Sequence, residues 1–245
     1  MTDFTRDSFL NGRITLRQPT GGFRSGLDAV MLAAAVPIGD GGELLELGAG
    51  AGAASLCVAA RLPGSIIVGV EIDEGLAELA NANALANNLE ARVRFVAADA
   101  LSLPALLKHE FAQVFSNPPF HAEDGEASPH EGRRRARQDG GRLSDWLETG
   151  LKRTVSGGTF TTIIRADRLA EALSVLPGGG ITVYPLWPRA GDPAKRVIVR
   201  TRKGAHTPLT LLPGLVLHEA DGQFTPETEG ILRGGGSLAL DKPRL

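Results

Sequence analysis

From Gly41 onward the chain alternates between short apolar runs rich in Val, Ile and Leu and longer segments in which Ala and Leu recur at helical spacing. The runs fall at Glu43–Leu47, Ile66–Ile72, Val93–Ala97, Gln113–Ser116, Thr159–Arg165, Ile181–Leu186 and Arg196–Thr201. Each is short and rich enough in β-branched residues to read as a strand. The spacing between them predicts helices at Ala53–Arg61, Glu74–Asn87, Leu143–Thr154 and Arg168–Val175. Strand and helix in alternation make a mainly parallel sheet with helices on both faces, an α/β domain. Before Gly41 a polar start leads into Ser25–Val36, a candidate amphipathic helix stopped by Pro37. The chain thus divides into an N-terminal segment at 1–40, a domain at 41–206 and a C-terminal extension at 207–245, where Pro and Gly are too frequent for long regular elements.

A length of 245 residues accommodates one such domain with decorations. With 42% apolar and 22% charged residues, the composition disfavours disorder and coiled coil. Glycine stands out: 31 residues without a collagen period point to tight turns and backbone-lined sites. The longest uncharged stretch, Ala172–Pro188, is broken by Pro and Gly and falls short of the ~20 apolar residues a membrane helix needs. Met1–Asp7 lacks the basic-then-apolar order of a secretory signal. A lone cysteine, Cys57, excludes intrachain disulfides and Cys-based zinc sites, and the histidines show no ligand spacing. These features lead us to expect a cytoplasmic protein with no metal and no membrane partner. A net charge of −2 leaves any nucleic-acid binding to local patches.

The first strand runs into Glu46-Leu-Gly48-Ala-Gly50-Ala-Gly52 and then a helix. Glycines at Gly48, Gly50 and Gly52 let the backbone turn tightly and approach a ligand, or serve simply as a structural turn. Their spacing is G-x-G-x-G, not the dinucleotide G-x-G-x-x-G. A carboxylate at the strand tip, Glu46, would repel a pyrophosphate but suits a cation. S-adenosylmethionine, with its sulfonium and α-amino groups, fits it better than NAD. Strand two ends in Glu71-Ile-Asp73, roughly 20 residues on, where an acid binds a ribose diol in doubly wound folds. Glu71 is the ribose candidate and Asp73 the N-cap of the next helix. Asp99, at the end of strand three, either accepts from an adenine amino group or caps the strand.

After strand four comes Ser116-Asn117-Pro118-Pro119-Phe120. Two prolines cannot continue a ladder, so this is a stiff loop. The Asn117 side-chain oxygen and the Pro118 carbonyl are two acceptors, and Phe120 offers a flat stacking surface. Together they can hold a planar NH2 group and direct its lone pair at an electrophile, an effect expressed mainly in the transition state.

This ordered set, Glu46–Gly52, Glu71, Asp99 and Asn117–Phe120, resembles the class I S-adenosylmethionine-dependent methyltransferases. Its Asn-Pro-Pro-aromatic loop is similar to that of the branch that methylates amino nitrogens of adenine, guanine or glutamine. The resemblance implies a Rossmann-like fold with a seven-stranded mixed sheet whose last strand is antiparallel. Upstream, Gln18–Ala33 is similar to the N-terminal segment of the tRNA(Val)-type adenine-N6 methyltransferases, which act on the adenine next to the anticodon. In that family the segment lies over the cofactor, which assigns Arg24 and Asp28 to its neighbourhood. The implied activity is N6-methylation of an adenine in RNA, with tRNA as the partner. Protein glutamine-N5 or rRNA guanine-N2 methylation, and a non-catalytic cofactor- or RNA-binding module, stand as alternatives. A glutamine enzyme would carry a helical domain before the glycine turn, where only about 40 residues are available.

Two basic clusters are candidates for RNA. Arg133, Arg134, Arg135, Arg137 and Arg142 lie in a long loop at 123–142, and Arg189, Lys195, Arg196, Arg200, Arg202 and Lys203 lie around the last strand. Both are expected near the active-site edge, with contacts from Arg133–Arg135, Arg137, Lys195 and Arg196, unless they are solvated loop charge. Trp146, beside Leu143 and Leu147, is expected in the core.

Overall fold

The computed structural model describes residues 3–21, 24–39, 41–119 and 142–241. Its elements, in chain order, are strands β1 (Phe4–Phe9) and β2 (Ile14–Pro19), helix α1 (Leu27–Ala35), β3 (Glu43–Leu47), α2 (Ala53–Arg61), β4 (Ile66–Glu71), α3 (Glu74–Ala86), β5 (Val93–Ala97) and β6 (Phe111–Ser116). Then come α4 (Leu143–Arg153), β7 (Thr154–Arg165), α5 (Leu169–Val175), β8 (Ile181–Trp187), β9 (Arg196–Arg202), β10 (Thr210–Leu211), β11 (Leu215–Val216) and α6 (Pro226–Gly234).

The large sheet has the order β10-β8-β9-β7-β6-β3-β4-β5, with β11 also on β8. Strands β3 to β7 run parallel to one another, and β9 inserts antiparallel between β7 and β8. The antiparallel last main strand agrees with expectation, but the strand number does not. Nine strands form the sheet among the described residues, because the chain after 207 folds back along β8 and adds two two-residue strands parallel to it. Helices cover both faces: α1, α2 and α3 pack in one apolar layer, α4 and α5 in the other. Trp146 is buried in the second layer, as expected.

The polar start of the chain is a β-hairpin. Its turn, Leu10-Asn11-Gly12, takes positive φ at all three residues, and Asn-Gly is the sequence signal that marks such a turn. The inner face of β2, Ile14, Leu16 and Gln18, is buried while Arg17 is exposed. No strand pairs with the second edge of β2 among the described residues. Two asparagines four residues apart, Asn83 on α3 and Asn87 at its C-cap, take its place. Asn87 accepts from the Thr15 N–H (2.8 Å) and donates to the Thr15 carbonyl (2.7 Å). Asn83 does the same for Arg17, at 2.9 and 3.0 Å, and also donates to the Ala51 carbonyl (3.0 Å). Primary amides reproduce the donor and acceptor of a strand residue and so satisfy the edge.

The C-terminal extension is more regular than its composition implied. Thr225 caps α6 by accepting from the Thr228 N–H (3.2 Å), Pro226 opens the helix, and Gly235 ends it at φ +70°. These are ordinary start and stop signals. Arg61 at the end of α2 donates to the carbonyls of Ala33 and Val36 and to Ser237 Oγ, which fixes the extension and α1 to the domain. Arg13, in the hairpin, reaches the carbonyls of Ala60 (2.7 Å) and Gly234 (3.3 Å).

Asn83 is 1% exposed and its replacement strands three backbone groups. Asn83→Ala is therefore expected to destabilise the protein by about 1–3 kcal/mol. Urea denaturation read by circular dichroism would test this, and a loss under about 0.5 kcal/mol, the lower limit for a typical net hydrogen bond, would mean that water replaces these bonds.

Candidate cofactor and amine site

The site begins where β3 ends in a buried acid. Glu46 is 2% exposed, and its Oε2 accepts from the Ser55 N–H (3.0 Å) and from the Ser55 hydroxyl. Those donors lie in the first turn of α2, whose leading N–H groups have no partner within the helix. The carboxylate thus ties the strand tip to the helix start. Burial pushes the Glu46 carboxyl up to about 8, against the hydrogen bonds from Ser55, and Glu71 nearby pushes it the same way.

Between these two anchors the chain turns through Gly48, Gly50 and Gly52 at φ +73°, +56° and +90°. A side chain at Gly48 would strike the Trp146 ring, and one at Gly52 the Phe95 ring. At Gly50 a Cβ would meet nothing within 4 Å, so here the backbone borders open space. The Val70 carbonyl accepts from both the Gly48 and Ala49 N–H groups, at 2.9 and 2.8 Å. Glu71, the last residue of β4, accepts from the Gly50 N–H through Oε2 (2.8 Å) and from the Asp73 N–H through Oε1 (3.0 Å). Burial raises its pKa too, against the bonds from Asp73 and Gly50. Asp73 caps α3 as expected, accepting from Leu76 N–H (3.0 Å).

The cofactor candidates Glu46, Gly48, Gly50, Gly52 and Glu71 therefore come together in one turn. Asp99 lies at the end of β5, exposed, and accepts from the Leu101 N–H (2.8 Å). Arg24 pairs with Asp7 of β1 (2.8 Å), and Asp28 on α1 with Arg196 Nε on β9 (2.9 Å). Buried Gln18 holds the chain ahead of α1 by exchanging hydrogen bonds with both backbone groups of Ser25, at 2.8 and 3.1 Å. Gln18, Asn83 and Asn87 are positioning residues that pattern reading passed over, since a lone polar residue in an apolar run gives no count-based signal.

Asn117 follows β6, next to the β3 strand that ends in the glycine turn. Its side-chain oxygen is buried and has no hydrogen-bond partner among the described residues. Pro118 is buried and Pro119 exposed. Ser116 fixes the start of the loop: its hydroxyl donates to Thr162 Oγ1 (3.2 Å), whose own hydroxyl donates to the Ser116 carbonyl (3.1 Å). Phe120, Arg133, Arg134, Arg135 and Arg137 lie outside the described residues.

The second basic cluster divides, contrary to expectation. Because β9 runs antiparallel, Arg196 pairs in register with Arg165 at the end of β7, and Arg202 with Thr159 at its middle. Lys195 and Arg196 thus stand at the edge that carries Asn117. Arg200 is buried against Asp241, and Lys203 binds Glu110 (2.6 Å) at the far edge.

Comparison with known proteins bears on this geometry. A family model, the methyltransferase small domain, matches residues 25–133. The tRNA1(Val) (adenine(37)-N6)-methyltransferase of Yersinia enterocolitica is 29% identical over 213 residues, which are 82% of this chain and 81% of that protein. A protein of the same name from a Flavobacteriaceae bacterium is 33% identical over 126 residues, 51% of this chain and 52% of the other. Among solved structures, one titled as a predicted O-methyltransferase from Agrobacterium tumefaciens is 29% identical with a TM-score of 0.72, over 86% of this chain and 98% of that one. The family model and the similar proteins support a methyltransferase on an α/β fold. Within that class the chain resembles, in sequence, the tRNA1(Val)-type enzymes.

The residues present fit the cofactor. Glu71 accepts from the glycine turn where it borders open space, and Glu46 lies near enough to Glu71 to feel its charge, acid groups suited to a ligand that bears amino and hydroxyl groups. Glu46 and the turn would hold the methionyl part and Glu71 the ribose.

A carboxyl that keeps its proton to higher pH in the folded than in the unfolded chain stabilises fully below the unfolded value, 4.5 for Glu46, and loses that contribution as pH rises through about 8. In the cofactor-free protein, stability is expected to fall across this window, and Glu46→Gln to flatten the fall. An identical pH slope in the variant, measured by urea denaturation, would remove Glu46 from this account.

Proposed function

We propose that the protein transfers a methyl group from S-adenosylmethionine to the N6 amine of an adenine in tRNA, near the anticodon. The observation that carries this reading is the buried Asn117 oxygen beside the glycine turn, which has no hydrogen-bond partner among the described residues. Buried acceptors are almost always satisfied, so an idle one at the mouth of a site is an acceptor kept for a ligand N–H. The names of the similar proteins support adenine in tRNA as its source.

The cofactor, when bound, supplies an electrophilic methyl on sulfur. The chain's own residues act on the amine. Asn117 Oδ1 and the Pro118 carbonyl accept its two hydrogens and so favour a tetrahedral nitrogen whose lone pair is free to form the new N–C bond. That geometry develops in the transition state, where binding accelerates the reaction. Phe120 stacks on the base, which must be exposed in a loop or flipped out to reach the site. No strong general base is required, because the methylated nitrogen becomes acidic and its proton passes to water. Lys195 and Arg196, at the same sheet edge, would contact phosphates, as would Arg133–Arg135 and Arg137.

Labelled methyl transfer to unmodified total tRNA, followed by nucleoside mass spectrometry, tests the reading. We expect N6-methyladenosine in tRNA. With Asn117→Ala, transfer should fall at least about a hundredfold, in the range lost with one preorganised transition-state contact, while cofactor affinity stays within a few-fold. Label found only in protein, or only in guanine, would overturn the substrate; full activity of Asn117→Ala would overturn the role of the asparagine. Glu71→Ala should weaken cofactor binding by about 1–3 kcal/mol, since it removes the ribose acceptor and frees the Gly50 N–H together. Calorimetry showing unchanged affinity would exclude that assignment.

A further inference from the structure

Along the C-terminal half of β8 a groove of about 670 Å³ opens between the sheet, the start of α5 and the loop that carries β10. Ala166, Leu169, Pro185, Trp187, Pro193 and Leu211 line it. The strand directions place it on the substrate side. Strands β6, β7 and β8 share one direction, so Trp187 at the end of β8 and Asn117 just past β6 lie on the same sheet edge. Between them stand β7 and β9, three strand spacings in all, or about 14 Å across the sheet. Ala166, the first residue past β7, belongs to the intervening wall.

The walls are apolar, and an indole with several prolines gives them flat surfaces. Trp187 donates its ring N–H to the Pro213 carbonyl (2.9 Å), which fixes the ring against the loop while leaving it partly exposed. Two exposed cations, Arg189 and Lys195, bracket the β8–β9 turn that carries Pro193, and neither has a carboxylate partner among the described residues. The turn's one acid is Asp192. An apolar peptide would fill the slot and leave the cations idle. A planar group carried on an anionic backbone uses both features, with the ring in the slot and the phosphates on its rim.

We infer that this groove seats an unstacked base of the substrate RNA other than the target base, against Trp187, with neighbouring phosphates on Arg189 and Lys195. The inference rests on the RNA reading above and extends the substrate contact from the reacting base to a second anchor three strands away. Two anchored bases set the register of an RNA loop, as one does not.

The test uses the full chain with unmodified total tRNA, measuring filter binding and methyl transfer against tRNA concentration for the wild type, Trp187→Ala and Leu211→Glu. Leu211 is 66% exposed, so its replacement places a carboxylate on the rim without opening the core. Each variant should raise the Kd and KM for tRNA about tenfold, the lower part of the range for one stacked base, with kcat and cofactor affinity within twofold. Ultraviolet crosslinking should join tRNA to Trp187 in the wild type. If the wild type binds and methylates tRNA and both variants match it within twofold, the groove inference falls and the RNA reading stands. If the wild type transfers methyl to protein or a small molecule and does not bind tRNA, both fall.

Discussion

The site depends on one buried carboxylate at the tip of the first domain strand. Left alone, the Glu46 charge would be expensive to bury, and the first turn of α2 would leave its N–H groups without partners inside the protein. Ser55 joins the two and offsets the burial in part, the rest being met by the carboxyl keeping its proton to about pH 8. That junction fixes both ends of the loop from 47 to 54, so the chain between must turn sharply, and three glycines at positive φ are its answer. The outcome is a rim of backbone with two acids beneath it and space in front. Because the second acid already binds the Gly50 N–H, the shape of the turn and the charge of the site are not separable properties.

The domain was legible because most of its strands are buried on both sides and read as apolar runs, so their order and the helices between them followed, although β6 and β7 begin earlier than the runs at Gln113 and Thr159, at Phe111 and Thr154. The glycine turn, the acids at the strand tips and the Asn-Pro loop were legible for a related reason, since each sits at a fixed offset from a strand end. What escaped detection lies outside the parallel sheet. The hairpin has only one buried face and its alternation is short, although Asn11-Gly12 marked the turn. Strands β10 and β11 have two residues each and take their form from the edge of β8. The split of the cations around β9 follows from strand direction, which spacing along the chain does not encode. Ile14–Gln18 and α6 each carried recognisable signals that composition obscured.

The segments flanking the domain bury apolar side chains in its core, Leu16, Met31, Leu32 and Ile231 among them, and add polar contacts to main chain. Arg61 and Arg13 satisfy carbonyls at the ends of α1, α2 and α6, while Arg196 reaches across from β9 to Asp28 on α1. This last pair links the N-terminal helix to the edge at which substrate chemistry is proposed. The C-terminal extension, through Leu238 N–H to the Ala34 carbonyl, holds the same helix from its other end. Helix α1 is thus held between β9 and the C-terminal extension.

The asparagine contact to β2 has a consequence for how freely the surface can change. Asn83 and Asn87 recognise the amide and carbonyl groups of Thr15 and Arg17, not their side chains, and both side chains point away from the deepest packing. Any residue other than proline that accepts an extended backbone satisfies such a contact equally well. The outer face of the hairpin is therefore uncoupled from the attachment of the hairpin, and can acquire a new charge or shape through single substitutions without loosening the domain beneath it.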